Sequence, residues 1–305
     1  EAIGFPPQLA MFGFDHWQAF ELSWLDSSGK PSVAVAELFF DCRSPAIVES
    51  KSLKLYLNSF NHERMASTEL LASTIKADLE QASGNVVNVL VHSLGEYRAL
   101  MAKNFAPRLQ DNRTVVALHR LPIIDNVAPL DASVIEFIRL DKAPNAFPAN
   151  KETRYTSDLF RSNCPVTNQP DWASLKIQVT GIEIEGASLL SYLCSFREHQ
   201  GYHEECAERI FVALSNHCRP DSLQVSMNYL RRGGLDINVY RASETITHAD
   251  RLARDVDVRE VHTNFVDRGN PLVDGLGAEV VQLHMDVIFV RPAAAAFLDL
   301  LVHTA

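Results

Sequence analysis

The chain has 305 residues, of which 47% are hydrophobic, and its formal net charge at pH 7 is −10. This charge would repel a phosphate backbone, so we expect no direct contact with nucleic acid. No apolar run reaches the roughly 20 residues that a membrane-spanning helix needs, so no membrane partner is expected, and the length fits two modules or one large domain.

The five cysteines favour a reducing compartment. Their number is odd and no Cys-x-x-Cys pair is present, which argues against a disulfide framework and against a zinc site. The sequence also opens without a charged segment followed by an apolar one, the pattern of a secretory signal. We therefore expect a cytoplasmic protein with free thiols and no metal.

The first half of the chain reads as strands, then helices, then a strand. ELSWL from Glu21 and PSVAVAELFF from Pro31 are strand-like, and ESKSLKLYLNSF, residues 49–60, has apolar residues at helical spacing. A second amphipathic helix pattern follows, and VVNVLVHSL from Val86 is again strand-like.

The second half repeats this order with an offset of 136 residues. SLKIQVTGIEI from Ser174 precedes a helix pattern at residues 185–196, and SLQVSMNYL from Ser222 follows a further helix. Seven of the twelve positions in 185–196 are identical to those in 49–60, which chance does not readily give. We infer two similarly folded modules, each of two strands, two helices and two strands, with a site between them.

A polar loop, RSNCPVTNQPDW at residues 161–172, carries the strongest chemical signal. Cys164 lies in a polar segment bounded by prolines, and Asp171 follows seven residues later. A thiol in such a loop with a carboxylate close behind it predicts a nucleophile with an acid beside it. The alternative is that the cysteine is a small buried hydrophobic residue, as most single cysteines are.

The polar residues of the helices differ between the two copies. Lys51 and Lys54 share one helix face in the first copy, where the second has Ala187 and Leu190. In the second copy His203 falls on the apolar stripe of the next helix, so its side chain points inward. The alternative for this residue is a histidine at the edge of the core, bonded to backbone.

Two arginines precede a glycine turn in RRGGLDINVYR, residues 231–241. Gly233 and Gly234 predict a hairpin turn, and Arg231 and Arg232 would end the strand before it. Strand-end arginines are usually solvated. Together with the two helix lysines, however, they supply four cations in an acidic protein, which a phosphorylated cofactor would require.

Four motifs in order resemble the two-module form of the NADPH-dependent 7-cyano-7-deazaguanine (preQ0) reductases, the QueF family. They are ESKSLKLYLNSFNHER, SNCPVTNQPDW, SFREHQGYHEECAERIF and RRGGLDIN. The resemblance implies an α+β tunnelling fold (T-fold) of two tandem ββααββ modules with antiparallel sheets, at residues 14–138 and 156–245. Residues 246–305 would form an extension without an assigned role, for which the pattern predicts a strand and a helix packed on the core.

The resemblance also implies the chemistry. The family reduces the nitrile of 7-cyano-7-deazaguanine to a primary amine with two NADPH per turnover, in the biosynthesis of the tRNA nucleoside queuosine, and a homodimer is implied. Cys164 would add to the nitrile to form a covalent thioimide, Asp171 would donate a proton, and His203 would assist proton or hydride transfer. The residues implied in binding are Glu49 and Glu204 for the substrate ring, and Ser50, Lys51, Lys54, Arg231, Arg232 and Gly233 for the cofactor.

Two departures from the family pattern lie next to the predicted site. The loop reads PDWAS where the family usually has PDWGS, so Ala173 would have to adopt a backbone angle that glycine normally supplies. YHEE replaces the usual FHE, so Tyr202 adds a phenol near the substrate ring.

Two other functions compete with nitrile reduction. A pterin- or purine-binding relative with cyclohydrolase chemistry would need a zinc site, and the spacing of cysteine and histidine offers no convincing one. A binding module without catalysis would need neither Cys164 nor Asp171.

Cys206 raises a hypothesis of redox control. It follows His203 by three residues and so lies on the same side of the helix, which would place a second thiol near Cys164. A reversible disulfide between the two is the hypothesis, and packing of Cys206 in the helix core is the alternative.

Overall fold

The structure, a computed structural model, describes residues 9–104, 114–124, 127–140, 151–245 and 302–304, the backbone alone for 102–104 and 302–304. The helices are α1 (Ser50–Ser59), α2 (Thr68–Ser83), α3 (Leu94–Asn104), α4 (Gly186–Cys194) and α5 (His203–His217). The strands are β1 (Phe12–Leu25), β2 (Pro31–Asp41), β3 (Ala46–Val48), β4 (Val87–His92), β5 (Thr114–Ala117), β6 (Phe137–Arg139), β7 (Thr153–Asn163), β8 (Pro170–Thr180), β9 (Ile182–Ile184), β10 (Ser222–Tyr229), β11 (Leu235–Ala242) and β12 (Val302–Thr304).

One eight-stranded sheet organises the described chain. Its strand order is β4-β2-β1-β11-β10-β8-β7-β5, and every neighbouring pair except β5 with β7 is antiparallel. The pair β1–β11 joins the strands of the first half to those of the second, in register from Phe12 opposite Ala242 to Ala19 opposite Leu235. The predicted α+β class with antiparallel strands is confirmed, and β1 and β11 form a seam between the two halves.

The core lies between this sheet and the helices. Strand β11 shows the alternation that this requires, since Leu235, Ile237 and Val239 are buried in the core and share one face. Helix α5 meets that face with Ile210 and Leu214, both fully buried. Burying a side chain of this size stabilises the fold by about 1.5–3 kcal/mol. His203 continues the same helical stripe at the first turn, so the packing of α5 fixes where its ring lies.

The two halves share most of the predicted repeat. The second half runs β7, β8, β9, α4, α5, β10 and β11, so apart from the three-residue β9 it follows the predicted order of two strands, two helices and two strands. The first half runs β1, β2, the three-residue β3, α1, α2 and β4, but α3 then occupies the place where the repeat predicts a closing strand. Residues 105–113 lie outside the described residues.

A capping box explains why α3 begins directly after β4. The backbone N–H of Ser93 donates to Glu96 Oε2 at 2.8 Å, and the N–H of Glu96 donates to Ser93 Oγ at 3.3 Å. These reciprocal bonds satisfy two of the backbone donors that a helix start leaves unpaired.

Little of the predicted C-terminal extension falls within the described residues. The backbone of β12 pairs antiparallel with β3, with Val302 opposite Val48. The strand and helix predicted within 246–301 lie outside the described residues. Among the described helices, none combines the length and apolar character needed to cross a membrane.

Candidate active site

A cavity at the seam brings together residues from both halves of the chain. Its wall includes all five residues that the sequence predicts for catalysis and substrate binding. The lining residues are Trp17, Val48, Glu49, Ser50, Cys164, Pro165, Asp171, Gly201, Tyr202, His203, Glu204, Arg232 and Ile237. We call it the catalytic cavity.

The nucleophile loop connects β7 to β8 and is closed by its own backbone. The N–H of Cys164 donates to the carbonyl of Gln169 at 2.8 Å, and the N–H of Asn168 donates to the carbonyl of Cys164 at 2.9 Å. Asn168 has φ of 53°, a left-handed conformation that asparagine tolerates better than most residues. The predicted strain at Ala173 was wrong: this residue lies in β8, opposite Tyr229 and Phe160, and Asn168 takes the positive φ instead.

The segment before α5 is tied to the same loop, and His203 and Cys164 line the same cavity. The N–H of Asn163 donates to the carbonyl of His199 at 2.8 Å, and the N–H of Gly201 donates to the carbonyl of Asn163 at 3.1 Å. These bonds make a short parallel bridge between Asn163 and Gln200. The two catalytic segments, distant in sequence, are thereby held in one position.

Hydrogen bonds favour the thiolate of Cys164. Partial burial alone would raise the pKa of this thiol, but hydrogen bonds from Thr167, from Arg232 and from the backbone of Val166 outweigh it. The net result is a pKa below the ordinary value for cysteine. Because the thiolate is the reactive form, these contacts indicate a nucleophile. The other four cysteines all have pKa values raised by burial.

Asp171 is the buried acid of the cavity. Its carboxylate is 3.7 Å from His203 Nε2 through Oδ2 and 3.3 Å from Arg232 Nη2 through Oδ1. The His203 ring stands edge-on to Tyr229, with 4.0 Å between ring centroids. Tyr229 is only 5% exposed, and its ring packs against the imidazole. The predicted catalytic set of Cys164, Asp171 and His203 is thus assembled around one cavity.

Glu204 has a carboxyl oxygen with no partner. The residue is 2% exposed, and its Oε1 is buried without a hydrogen bond. Burial, and next to it the charge of Asp15, raise the pKa of this carboxyl to about 8. A buried polar atom without a partner is costly, so its position in a cavity wall indicates a ligand that supplies a donor.

A buried ion cluster lies behind Glu204, and it was not predicted. Arg241, 1% exposed, donates to Asp15 Oδ1 at 2.7 Å and to Glu208 Oε1 at 2.9 Å. These three residues and Glu204 line a neighbouring cavity. The alternation of residues along β11 could have predicted that Arg241 is buried, because Arg241 shares its strand face with the core residues Ile237 and Val239.

Glu49 caps helix α1 from the cavity wall. Its Oε1 accepts from the N–H of Lys51 at 2.9 Å and its Oε2 from the N–H of Ser52 at 2.7 Å. Glu185, the equivalent residue in the second copy, caps α4 in the same way through Ala187 and Ser188. The glutamate that both copies share therefore has a structural role in each. A carboxylate accepts about four hydrogen bonds, so Glu49 can still bind a ligand in the cavity.

A groove continues from the catalytic cavity toward the hairpin turn between β10 and β11. Gly233 and Gly234 have φ of 57° and 77°, as the predicted turn requires. Four of the predicted cofactor residues line this groove. They are Ser50, Lys54, Arg232 and Gly233.

The other two predicted cofactor residues face away from the groove. Lys51 is exposed and lines none of the cavities described above. The guanidinium of Arg231 lies 3.4 Å from the centroid of the Phe20 ring, and its Nε is 3.2 Å from Asp236 Oδ1. Lys54 and Arg232 therefore line the groove, whereas Lys51 and Arg231 do not.

The proposed pairing of Cys164 with Cys206 is not present. Both are free thiols, and Cys206 is fully buried in the hydrophobic core. It contacts Ser162 and Tyr229 instead of lining the catalytic cavity. A spacing of three residues places Cys206 below His203 on the helix, facing the sheet, so the alternative of core packing is confirmed.

Comparison with known proteins identifies the family. Residues 1–91 match the family "Nitrile reductase, 7-cyano-7-deazaguanine-reductase N-term", and residues 170–248 match "QueF-like protein". A protein of Paraburkholderia phytofirmans named "NADPH-dependent 7-cyano-7-deazaguanine reductase" is 43% identical over 256 residues, 83% of this chain and 88% of its own length. A protein of Burkholderia orbicola with the same name is 42% identical over 243 residues, 80% of this chain and 83% of its own length.

The chain belongs to the family of NADPH-dependent 7-cyano-7-deazaguanine reductases. Among solved structures, the apo form of the archaeosine synthase QueF-Like matches with 17% identity and a TM-score of 0.29, over 33% of this chain and 98% of that one. The resemblance inferred from the four sequence motifs is confirmed by the curated relatives of the reductase family.

The two capping glutamates provide a matched pair of variants. Glu49→Ala and Glu185→Ala each remove a helix N-cap, so we expect each to lower the free energy of unfolding by about 0.5–2 kcal/mol in urea denaturation. Of the two, we expect Glu49→Ala alone to weaken binding of 7-cyano-7-deazaguanine, by about tenfold or more in calorimetry, since it also removes a charged acceptor from the cavity wall. Equal affinity in both variants would mean that Glu49 is a cap and nothing else.

Proposed function

We propose that this protein reduces the nitrile of 7-cyano-7-deazaguanine to the primary amine of 7-aminomethyl-7-deazaguanine, with NADPH as the reductant. The observation that carries the proposal is the catalytic cavity itself. It combines a cysteine of lowered pKa, an aspartate beside a histidine, and a buried glutamate oxygen without a partner. Relatives that carry this activity in their name support it, and queuosine biosynthesis is the proposed setting.

Covalent addition is the first step that the geometry supports. The Cys164 sulfur, as thiolate, forms a bond to the nitrile carbon, one π bond of the nitrile breaks, and its electron pair moves to nitrogen. The nitrogen takes one proton, which gives a neutral thioimide. A thioimide carbon accepts hydride more readily than a nitrile carbon does, which is why a nucleophile in this position serves a reduction.

Asp171 and His203 form the proposed proton source for the nitrogen. They lie on the same wall as Cys164, and Asp171 Oδ2 and His203 Nε2 are 3.7 Å apart, which is beyond hydrogen-bond distance. The two groups must therefore approach each other when a ligand binds for a proton to pass between them. The whole reaction converts one nitrile, two hydrides and two protons into one amine. The pair would be recharged with protons from solvent.

Glu204 and Glu49 are the proposed contacts of the ring. A 7-deazaguanine presents a ring N–H and an exocyclic amino group side by side, and both are donors. Glu204 Oε1 offers an unused acceptor within the cavity, and Glu49 retains acceptor capacity beyond its two capping bonds. Binding of such a ring would satisfy the oxygen that is left unpaired in the structure.

The groove beside the cavity fits a phosphorylated cofactor. A Cβ added at Gly233 would lie 3.1 Å from Lys54 Cε and 3.2 Å from its Nζ, so the glycine leaves room for a cation at the turn. Burial, followed by the nearby charge of Arg232, lowers the pKa of Lys54. An anionic group placed there would relieve both effects. NADPH would supply the hydrides, one from each of two molecules per turnover.

Two further parts of the proposal concern organisation. We propose modules at residues 14–138 and 156–245 and a homodimer of such chains. Support comes from the sheet, whose edge strand β4 pairs only with β2 among the described strands and carries the half-exposed Leu90. Open strand edges favour pairing with another chain. Light scattering on the purified protein gives the mass that decides this point, and a monomer would contradict it.

The function is tested by mixing purified protein, NADPH and the nitrile. We expect oxidation of NADPH only when the nitrile is present, with two NADPH consumed per amine formed. Binding of the nitrile without oxidation would favour the binding-module alternative, and release of a ring-opened product would favour cyclohydrolase chemistry.

Removing the thiol tests the covalent step. Cys164→Ala should abolish turnover, and wild-type protein with the nitrile but without NADPH should gain the mass of one substrate by mass spectrometry. Cys194→Ala is the matched control, because Cys194 is a half-buried thiol of raised pKa that does not line the catalytic cavity. An adduct that persists in Cys164→Ala would assign the nucleophile elsewhere.

An isosteric change tests the acid. Asp171→Asn keeps the shape of the side chain and removes its proton, so adduct formation and reduction should fall by about a hundredfold or more while nitrile binding remains. Asp158→Asn serves as control, since Asp158 accepts from Ser174 and lies outside the cavity wall. Wild-type rates in Asp171→Asn would exclude the residue from proton transfer.

The two helix lysines test the cofactor groove. Lys54→Ala should raise the KM for NADPH by about tenfold, the loss of one charge-assisted contact, and change the rate of covalent adduct formation much less. Lys51→Ala, one turn away on the exposed side, should change the KM less. If both variants titrate with NADPH as wild type does, the groove is not the cofactor site.

A further inference from the structure

Arg232 lies where the cofactor groove meets the catalytic cavity and lines both. Its backbone pairs with Leu235 across the glycine turn, with its N–H 3.0 Å from the Leu235 carbonyl. The turn therefore anchors the base of the side chain, and the guanidinium extends toward the nucleophile loop.

The guanidinium contacts the loop at Gln169 and the start of β8 at Asp171. Nη1 donates to Gln169 Oε1 at 3.1 Å and Nη2 lies 3.3 Å from Asp171 Oδ1, while Cys164 lines the same cavity wall, where Arg232 lowers the pKa of its thiol. The planar fork of arginine can serve several acceptors at fixed angles, which a lysine ammonium on a flexible stem cannot do as well. One side chain thus joins the loop that carries the nucleophile to the acid that follows it.

These contacts hold the nucleophile loop closed, which is a different role from binding a cofactor phosphate. Gln169 also accepts, through its carbonyl, from the N–H of Cys164, so Arg232 and the loop backbone hold the same turn closed from two sides. Two-thirds of the Arg232 side chain is shielded from solvent, which strengthens its field at the sulfur.

From this geometry we propose that Arg232 is a positioning residue for the nucleophile: it closes the loop around Cys164 and holds a positive charge at the sulfur before any cofactor binds. The proposal rests on the covalent step of the proposed function and adds a role for a residue that the sequence assigned to cofactor phosphates alone.

Other charged groups around the thiol do not replace this contact. Lys54 from α1 interacts electrostatically with Cys164, and Asp171 from β8 and His203 share the same wall. The phenol of Tyr202, whose pKa is raised first by burial, is neutral near pH 7. Among these groups, Lys54 is the second permanent cation, and it is not among the groups that contribute most to the lowered pKa of the thiol. Hydrogen bonds from Thr167 and the Val166 backbone support the thiolate without adding charge.

The test measures the thiol directly, without NADPH. The rate at which iodoacetamide alkylates Cys164 is followed by peptide mass spectrometry from pH 5 to pH 10 in wild type, Arg232→Gln, Arg232→Lys and Arg231→Gln. We expect Arg232→Gln to move the midpoint upward by about one pH unit, which means about tenfold slower alkylation on the acid side of the curve. Arg232→Lys should move it less, because it keeps the charge and loses the fork.

Arg231→Gln is the matched control, since this adjacent arginine contacts Phe20 and Asp236 and should leave the curve unchanged. A wild-type midpoint in Arg232→Gln together with a raised KM for NADPH would overturn the proposal and leave the cofactor role alone. Circular dichroism confirms that each variant is folded, and Arg232→Lys supplies the comparison if Arg232→Gln is not.

A second measurement separates this proposal from the proposed function. The rate of mass gain with the nitrile, again without NADPH, should fall about tenfold in Arg232→Gln. If wild type gains no mass from the nitrile while the alkylation curve still shifts in Arg232→Gln, the covalent function fails and the positioning role stands. If wild type gains the mass and Arg232→Gln matches it in both measurements, the positioning role fails and the function stands.

Discussion

The charge balance of one buried strand governs the site. Strand β11 forms half of the seam between the two parts of the sheet. One arginine lies in the turn before this strand and another lies near the end of the strand. Arg232, just before the strand, faces Asp171 and Cys164, and Arg241, near its end, faces Asp15 and Glu208. A chain with a net charge of −10 that gathers carboxylates in a cavity must supply cations there, because unpaired buried charges are costly.

The ion cluster of Arg241, Asp15 and Glu208 shows how much free energy the pairing of buried charges involves. Removing one partner of a buried ion pair typically costs about 3–5 kcal/mol, because the other charge stays buried and unpaired. Arg241 is shared by two carboxylates, and burial raises the pKa of both. Glu204 adjoins this cluster, so its own pKa is raised by burial and by Asp15. The glutamate proposed to bind the substrate ring therefore depends on residues that never line the catalytic cavity.

The sequence predicted those parts of the site whose conformation depends on residues close together in the chain. The polar loop around Cys164, the glycine turn and the inward position of His203 are all set by residues close in the chain. The direction of the basic side chains depends on tertiary packing, and so spacing alone could not separate Lys54 from Lys51 or Arg232 from Arg231. Helix α3 was not predicted from the sequence, because the repeat predicted a strand at that place. Ser93 and Glu96 form a capping box there, and their spacing could have indicated the helix.

The repeat explains how one site arises from two similar halves. Ser67 aligns with His203 at the offset of 136, and it caps α2 by accepting from the N–H of Leu70 at 3.1 Å. Helix α5 has no side-chain cap, since Tyr202 occupies its N-cap position. Loss of such a cap costs about 1 kcal/mol. In exchange, the start of α5 opens onto the catalytic cavity with His203 and Glu204, so the second copy has a less stable helix start where the first has an ordinary cap.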